Sequence, residues 1–181
     1  MNTNDDNAKP TPMMSTPSIH LSATLLTFVA GDDASQAEHY VVPCGTTVLA
    51  ERHFTHDPPL PEDLTNAIGD VIDHLDDAVR YLPLLAATPT VHLSGAPAWV
   101  LATVEHGGSL EPGKFVLSRD AAEEVFRTLA TESVSDRARN PGLPAEHVST
   151  IVAACCVVVA ILRGLHLQEI TVTCPGGEVS T

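Results

Sequence analysis

Positive charge is what this sequence lacks most. It has 181 residues, with nine Lys or Arg against 23 Asp or Glu, a formal net charge of −14 with the histidines neutral. Lys9 and Lys114 are the only lysines, and the arginines are scattered, so no basic cluster offsets the repulsion of polyanions. That balance excludes nucleic acid and anionic membrane surfaces as partners and gives no support to tight polyphosphate binding. Aromatic residues are also scarce, at 4%, which leaves the core to Val, Leu, Ile and Ala. The four cysteines form neither a disulfide framework nor a C-x-x-C metal or redox pattern. Cys155 and Cys156 lie inside an apolar run and read as small hydrophobes, and all four are expected to be reduced thiols. Cys44 alone sits in a turn where a reactive thiolate is conceivable. There is no G-x-S-x-G, and Ser94-Gly95 has no base nearby in sequence. The first seventeen residues lack a basic stretch followed by an apolar one, so they do not read as a secretory signal. Their Asn, Asp, Thr and Pro content suits a disordered tail, with Met13 or Met14 as alternative starts, and the protein is expected to be cytoplasmic.

Long apolar runs are present in one place. Ile151–Leu162 carries twelve residues without a polar side chain. A helix apolar all round must be buried, and twelve residues are too few to cross a bilayer, which needs about twenty. The spacing therefore predicts a central helix beginning at Pro144, followed by Gly164 and a strand over Glu169–Cys174. Earlier, His20–Ala30 reads as one strand, Gly31-Asp32-Asp33 as a turn, and His39–Val42 as its antiparallel partner. Thr46–His53 is a short helix. Pro61–Leu84 is an amphipathic helix whose Leu64, Ala67, Ile68, Val71, Ile72, Leu75, Ala78, Val79 and Leu82 share one face. Thr90–Leu93 is a short buried strand, Ala98–Glu105 a helix and Phe115–Leu117 an edge strand. Ser118 caps a helix that turns Ala122, Val125, Phe126 and Leu129 inward, and a helical turn lies near Ser133–Arg139. Together these predict a single α/β domain over residues 18–181 with a mixed sheet, a β-hairpin and flanking helices.

Several segments, in this order, resemble one family. Val42-Pro43-Cys44-Gly45 with Leu49-Ala50-Glu51-Arg52 is similar to its P-x-G-x-x-x-L-T-E-R segment, and Asp57-Pro58-Pro59 to its D-P-P element. Ser94-Gly95-Ala96 stands where it has a Gly-Gly-Thr turn after a strand. Arg137, Pro141-Gly142-Leu143 and Glu146 resemble its later R-x-x-x-P-G-L motif. The family is that of the exopolyphosphatases and guanosine pentaphosphate phosphohydrolases, Ppx/GppA. The resemblance runs from about Ile19 to Val179 and covers only the second half of the catalytic module. It implies one RNase H-like half of the actin, Hsp70 and sugar-kinase superfamily, in which two halves clamp phosphates between glycine-rich turns.

The departures matter more. Where the family reads D-I-G-G-G-S-T-E, this chain has His20, Leu21, Ser22, Ala23, Thr24, Leu25, Leu26 and Thr27. Glycine lets backbone approach phosphate closely, and no glycine remains. The carboxylates that help hold a metal are replaced by His20 and Thr27. His147 and Ser149 replace an Arg and an Asp at the start of the long helix. The remnant phosphate-turn positions are thus Ser22, Ala23, Thr24, Thr27, Ser94, Gly95 and Ala96. The expectation is a degenerate module without cofactor that binds a protein partner, a second copy or a small ligand. The alternative is a phosphohydrolase acting on polyphosphate or guanosine tetra/pentaphosphate, with magnesium, completed by dimerisation or a separate first half. Leu25, Leu26 and Trp99 are expected to form a packing surface in place of the phosphate cleft. Outside these turns, His53, His56 and Asp57 are the densest set of metal-ligand types, although Pro58 and Pro59 end the helix there and favour an exposed helix end. His74, beside Asp73, Asp76 and Asp77, reads as part of a solvated acidic face, and His147 as a neutral residue near a helix start.

Overall fold

The computed structural model describes residues 16–32 and 35–174. Most of the expected tail and Asp33 of the expected turn lie outside them. Pro17 already belongs to the body, buried, with its carbonyl accepting the His92 amide at 2.9 Å.

Six strands form one mixed sheet in the order β3-β2-β1-β4-β6-β5. They are β1 (Ser18–Leu21), β2 (Leu26–Ala30), β3 (Glu38–Val42), β4 (His92–Ser94), β5 (Lys114–Ser118) and β6 (Glu169–Thr173). β1, β2 and β3 form an antiparallel meander. β4 runs parallel to both β1 and β6, and β5 closes the far edge antiparallel to β6. The run expected as one strand, His20–Ala30, is therefore two. Ser22 breaks it: its hydroxyl accepts the Leu25 amide at 2.9 Å and donates to the Leu25 carbonyl at 3.0 Å, folding Ser22–Leu25 into a turn.

The strands alternate strictly. Ile19, Leu21, Leu26, Phe28, Leu93, Ile170 and Val172 point to the core, while His20, Thr27, Val29, Ser94, Thr171 and Thr173 keep contact with solvent. This is the pattern of a sheet packed on one face. The helices are α1 (Thr46–His53), α2 (Pro61–Tyr81), α3 (Leu84–Ala87), α4 (Ala96–His106), α5 (Arg119–Thr131), α6 (Val134–Arg137) and α7 (Ile151–Gly164). The predicted Pro61–Leu84 helix ends early because Pro83 disfavours helical backbone at Leu82, which has φ −118° and ψ 75°.

Helix α7 is the centre of the fold. α1, α2, α4 and α5 all pack against it, and each residue from Ile151 to Leu162 is at most 1% exposed. Burying such side chains contributes about 1.5–3 kcal/mol for each large one. The helix does not run back to Pro144, as the sequence suggested. Ala145–His147 is a 3-10 turn, and the Thr150 amide bonds to the His147 carbonyl at 3.1 Å rather than continuing an α-helical ladder. That kink places Glu146, His147, Ser149 and Thr150 on the surface instead of along the core helix.

Candidate functional site

The open ends of β1 and β4, the start of α1 and the 3-10 turn before α7 surround a groove. It consists of two cavities that share Thr47, Ser149 and Thr150. One, of about 540 Å³, is lined by His20, Ser22, Ala23, Ala96, Glu146 and His147 among others. The other, of about 440 Å³, is lined by Glu51, His56, Asp57, Val134 and Arg137 among others. Most of the remnant turn positions therefore meet at one place: Ser22, Ala23 and Ala96 on the cavity wall, with Gly95 buried behind. Thr24 is exposed at the turn, and Thr27 sits opposite His20 in the β1–β2 ladder.

Local hydrogen bonding explains the shape of the first turn. The amides that open α1 are already used: Gly45 donates to the Thr24 carbonyl at 3.1 Å, Thr46 to Ser22 at 3.1 Å and Thr47 to Ala23 at 2.8 Å. The turn thus presents carbonyl oxygens to the helix start, where an anion would otherwise find free donors. The Ser22, Thr24 and Leu25 amides of the turn are occupied as well, Ser22 by the Leu25 carbonyl and both Thr24 and Leu25 by the Ser22 hydroxyl. This tight docking requires Gly45, since a Cβ there would collide with the backbone of Ala23 and Thr24. The second turn requires Gly95, whose φ of +112° is disfavoured for other residues and whose missing Cβ makes room for the Leu21 carbonyl. Gly95 is the one element of that turn that only glycine satisfies.

Two separate sequence motifs meet at the other end of the groove. Arg137, 2% exposed, donates to Asp57 at 3.0 Å, and Asp57 also accepts the Val134 amide at 2.9 and 3.1 Å. The guanidinium is therefore already neutralised. The exposed charged residues lining the groove are Glu51, Asp57 and Glu146, so it repels a polyanion.

Other side chains singled out by the sequence have specific surroundings. His53, His56 and Asp57 do not converge: His53 bonds to Asp70 at 2.9 Å, His56 to Asp63 at 3.2 Å and Asp57 to Arg137. Among the described residues no group of three or more His, Cys, Asp or Glu is placed to hold a metal ion. Asp70 gathers Arg52, His53 and His74, the last at 3.6 Å, so His74 faces a specific carboxylate rather than only a solvated acidic surface. Burial alone would raise the Asp70 carboxyl, but hydrogen bonds from His53 and Arg52 hold it below its usual range. Cys44 is fully buried, and that burial pushes its thiol up to about 11, which removes it as a reactive thiolate. Leu26 is also buried in the core, so of the apolar residues expected to cover the old cleft only Leu25, at 42%, is well exposed; Trp99 packs against the core. The feature sequence reading missed is a partner for Ser94: His20 Nδ1 lies 3.0 Å from its hydroxyl, 74 residues away along the chain. Only the parallel register that sets His20 beside Ser94 brings them together.

No family model matches the sequence, and no curated protein matches it either. Solved structures do. An exopolyphosphatase-like protein superposes with a TM-score of 0.79 at 18% identity, over 94% of this chain and 58% of that one. The Ppx/GppA enzyme of Aquifex aeolicus gives 0.77 at 18% identity, over 87% and 52%. An exopolyphosphatase from Cytophaga hutchinsonii gives 0.69 at 16%, over 88% and 53%. The chain spans little more than half the length of these structures. Its mixed α/β architecture is thus the fold of about one half of a Ppx/GppA exopolyphosphatase-type protein.

Proposed function

We propose that this domain keeps the Ppx/GppA half-fold as a binding module and has lost the family's phosphohydrolase chemistry. The carrying observation is the first turn, where three amides opening α1 are bonded to the carbonyls of Ser22, Ala23 and Thr24. Phosphoryl transfer relies on preorganised donors and cations around the phosphate oxygens. Here those three donors at the first turn are spent, the buried Arg137 is paired with Asp57, and the groove rim carries carboxylates. Magnesium fits poorly too, because His20 and Thr27 offer an imidazole and a hydroxyl where the resemblance places carboxylates, the hard anionic donors that ion prefers. A groove of this character suits a neutral or cationic group, presented by a protein partner, a second copy or a small ligand.

The half-length match to the exopolyphosphatase structures favours a second reading, in which another lobe completes a phosphohydrolase. Phosphate release from polyphosphate and guanosine pentaphosphate separates the two, measured with magnesium, with the protein alone and with a candidate first-half chain. No release above background in either case is expected. Turnover that disappears in Thr24→Ala or Ser94→Ala would overturn the binding-module reading.

A further inference from the structure

We infer that Ser94 and His20 form a nucleophile–base pair able to hydrolyse small carboxylic esters, an activity separate from any phosphate chemistry. The two residues are register partners on the adjacent parallel strands β1 and β4, so the backbone itself sets their side chains on one face. His20 Nδ1 stands 3.0 Å from Ser94 Oγ, within the reach a general base needs. The hydroxyl has one other acceptor, the Ile19 carbonyl, at the longer distance of 3.4 Å.

The surroundings supply what an acyl-transfer site requires besides the pair. Ser94 ends a strand, Gly95 turns the chain with φ +112°, and α4 begins at once. The amides of Ala96 and Ala98 open that helix and have no acceptor within it, which is the kind of donor an oxyanion requires. His20, Ala96 and Pro97, though not Ser94 itself, line the cavity of about 540 Å³, so the imidazole and the residues that follow Ser94 border a space large enough for a small acyl group and its leaving group. Leu21, Ala23 and Pro97 give that cavity apolar wall, and Glu146 on its lining disfavours anionic substrates. The substrate class is accordingly a short ester, uncharged or cationic.

The chemistry balances with water as the only co-substrate. Ser94 Oγ attacks the ester carbonyl carbon while His20 Nδ1 takes the hydroxyl proton. The tetrahedral oxyanion collapses, the bond to the alcohol oxygen breaks, and the departing alkoxide takes the proton from His20. A water molecule, deprotonated by His20, then attacks the acyl-Ser94 carbonyl, releasing the carboxylic acid and returning the proton to Ser94.

The test is covalent labelling by a fluorophosphonate serine probe, read by intact mass and peptide mapping, beside hydrolysis of p-nitrophenyl acetate. One adduct on Ser94 is expected. It should vanish in Ser94→Ala and form about a hundredfold more slowly in His20→Asn, with both variants retaining the wild-type circular dichroism melt. The labelling rate of the wild type should rise with pH through a single ionisation that is absent from His20→Asn. If Ser94→Ala did not fold, the His20→Asn rate and pH profile would decide alone. An unlabelled folded protein, an adduct elsewhere, or a rate unchanged in His20→Asn overturns the inference. None of these results depends on polyanion binding, so failure here is distinguishable from failure of the binding-module reading.

Discussion

Helix α7 and the two turns at the groove are held by opposite means. Ile151–Leu162 is buried on every side and takes its stability from apolar area, which is non-directional and tolerates changes of shape better than changes of polarity. Ser22–Leu25 and Ser94–Ala96 bury little apolar surface. Their geometry rests on a few directed bonds and on glycine at positions 45 and 95. The first region marks the fold. The second borders the groove, and in the reading proposed above a handful of substitutions there close a turn that would otherwise offer amides to phosphate.

The sharpest way to break that contrast is Val158→Asp. An ionised carboxylate at a site with no exposure and no partner costs several kcal/mol, so thermal denaturation should show no cooperative transition. An unchanged melting temperature would mean that α7 is not the centre of the fold. Gly95→Ala comes next, at about 3 kcal/mol, because a Cβ would meet the Leu21 carbonyl at a positive φ. Gly107→Ala, also at positive φ but with open space around it, should cost about 1 kcal/mol. Chemical denaturation of the pair separates collision from conformational preference.

Arg137→Met should cost about 1–2 kcal/mol, since it removes a buried charge whose partner Asp57 remains half exposed and can be hydrated. The loss should be local, visible as faster amide exchange at Val134 while α7 stays protected. The smallest effect is on pH dependence. The folded Asp70 carboxyl lies below its ordinary 3.8, so the unfolded chain binds the extra proton first. The stabilisation is complete above that value and is lost as pH falls through the lower folded one. Asp70→Asn should flatten this acid arm of the stability profile without changing its shape near neutrality.

The same contrast governs what was legible in the sequence. Period and composition located α1, α2, α5, β6 and the C-terminal end of α7 to within a few residues, because an apolar face or an apolar run is written directly in the chain. They missed the split of β1 from β2, since Ser22–Leu25 sits inside a continuous β-prone stretch and only the Ser22 hydroxyl bonds break it. They also carried α7 back to Pro144, where Thr150 shifts the bonding to a 3-10 pattern. At the groove, motif order singled out the Ser22–Thr24 and Ser94–Ala96 turns, and Arg137 and Asp57 separately. The pairing of those two residues, and of His20 with Ser94, depends on contacts 80 and 74 residues apart. No local pattern encodes such distances.

The proposed loss of phosphate binding is tested most directly by isothermal titration of the protein with linear polyphosphate and with guanosine pentaphosphate, at low salt and with magnesium. With the α1 amides bonded to the Ser22–Thr24 carbonyls and the groove rim acidic, no saturable heat is expected at micromolar protein. Saturable micromolar binding to either polyanion would contradict the account, because it would mean that the turns still hold phosphate.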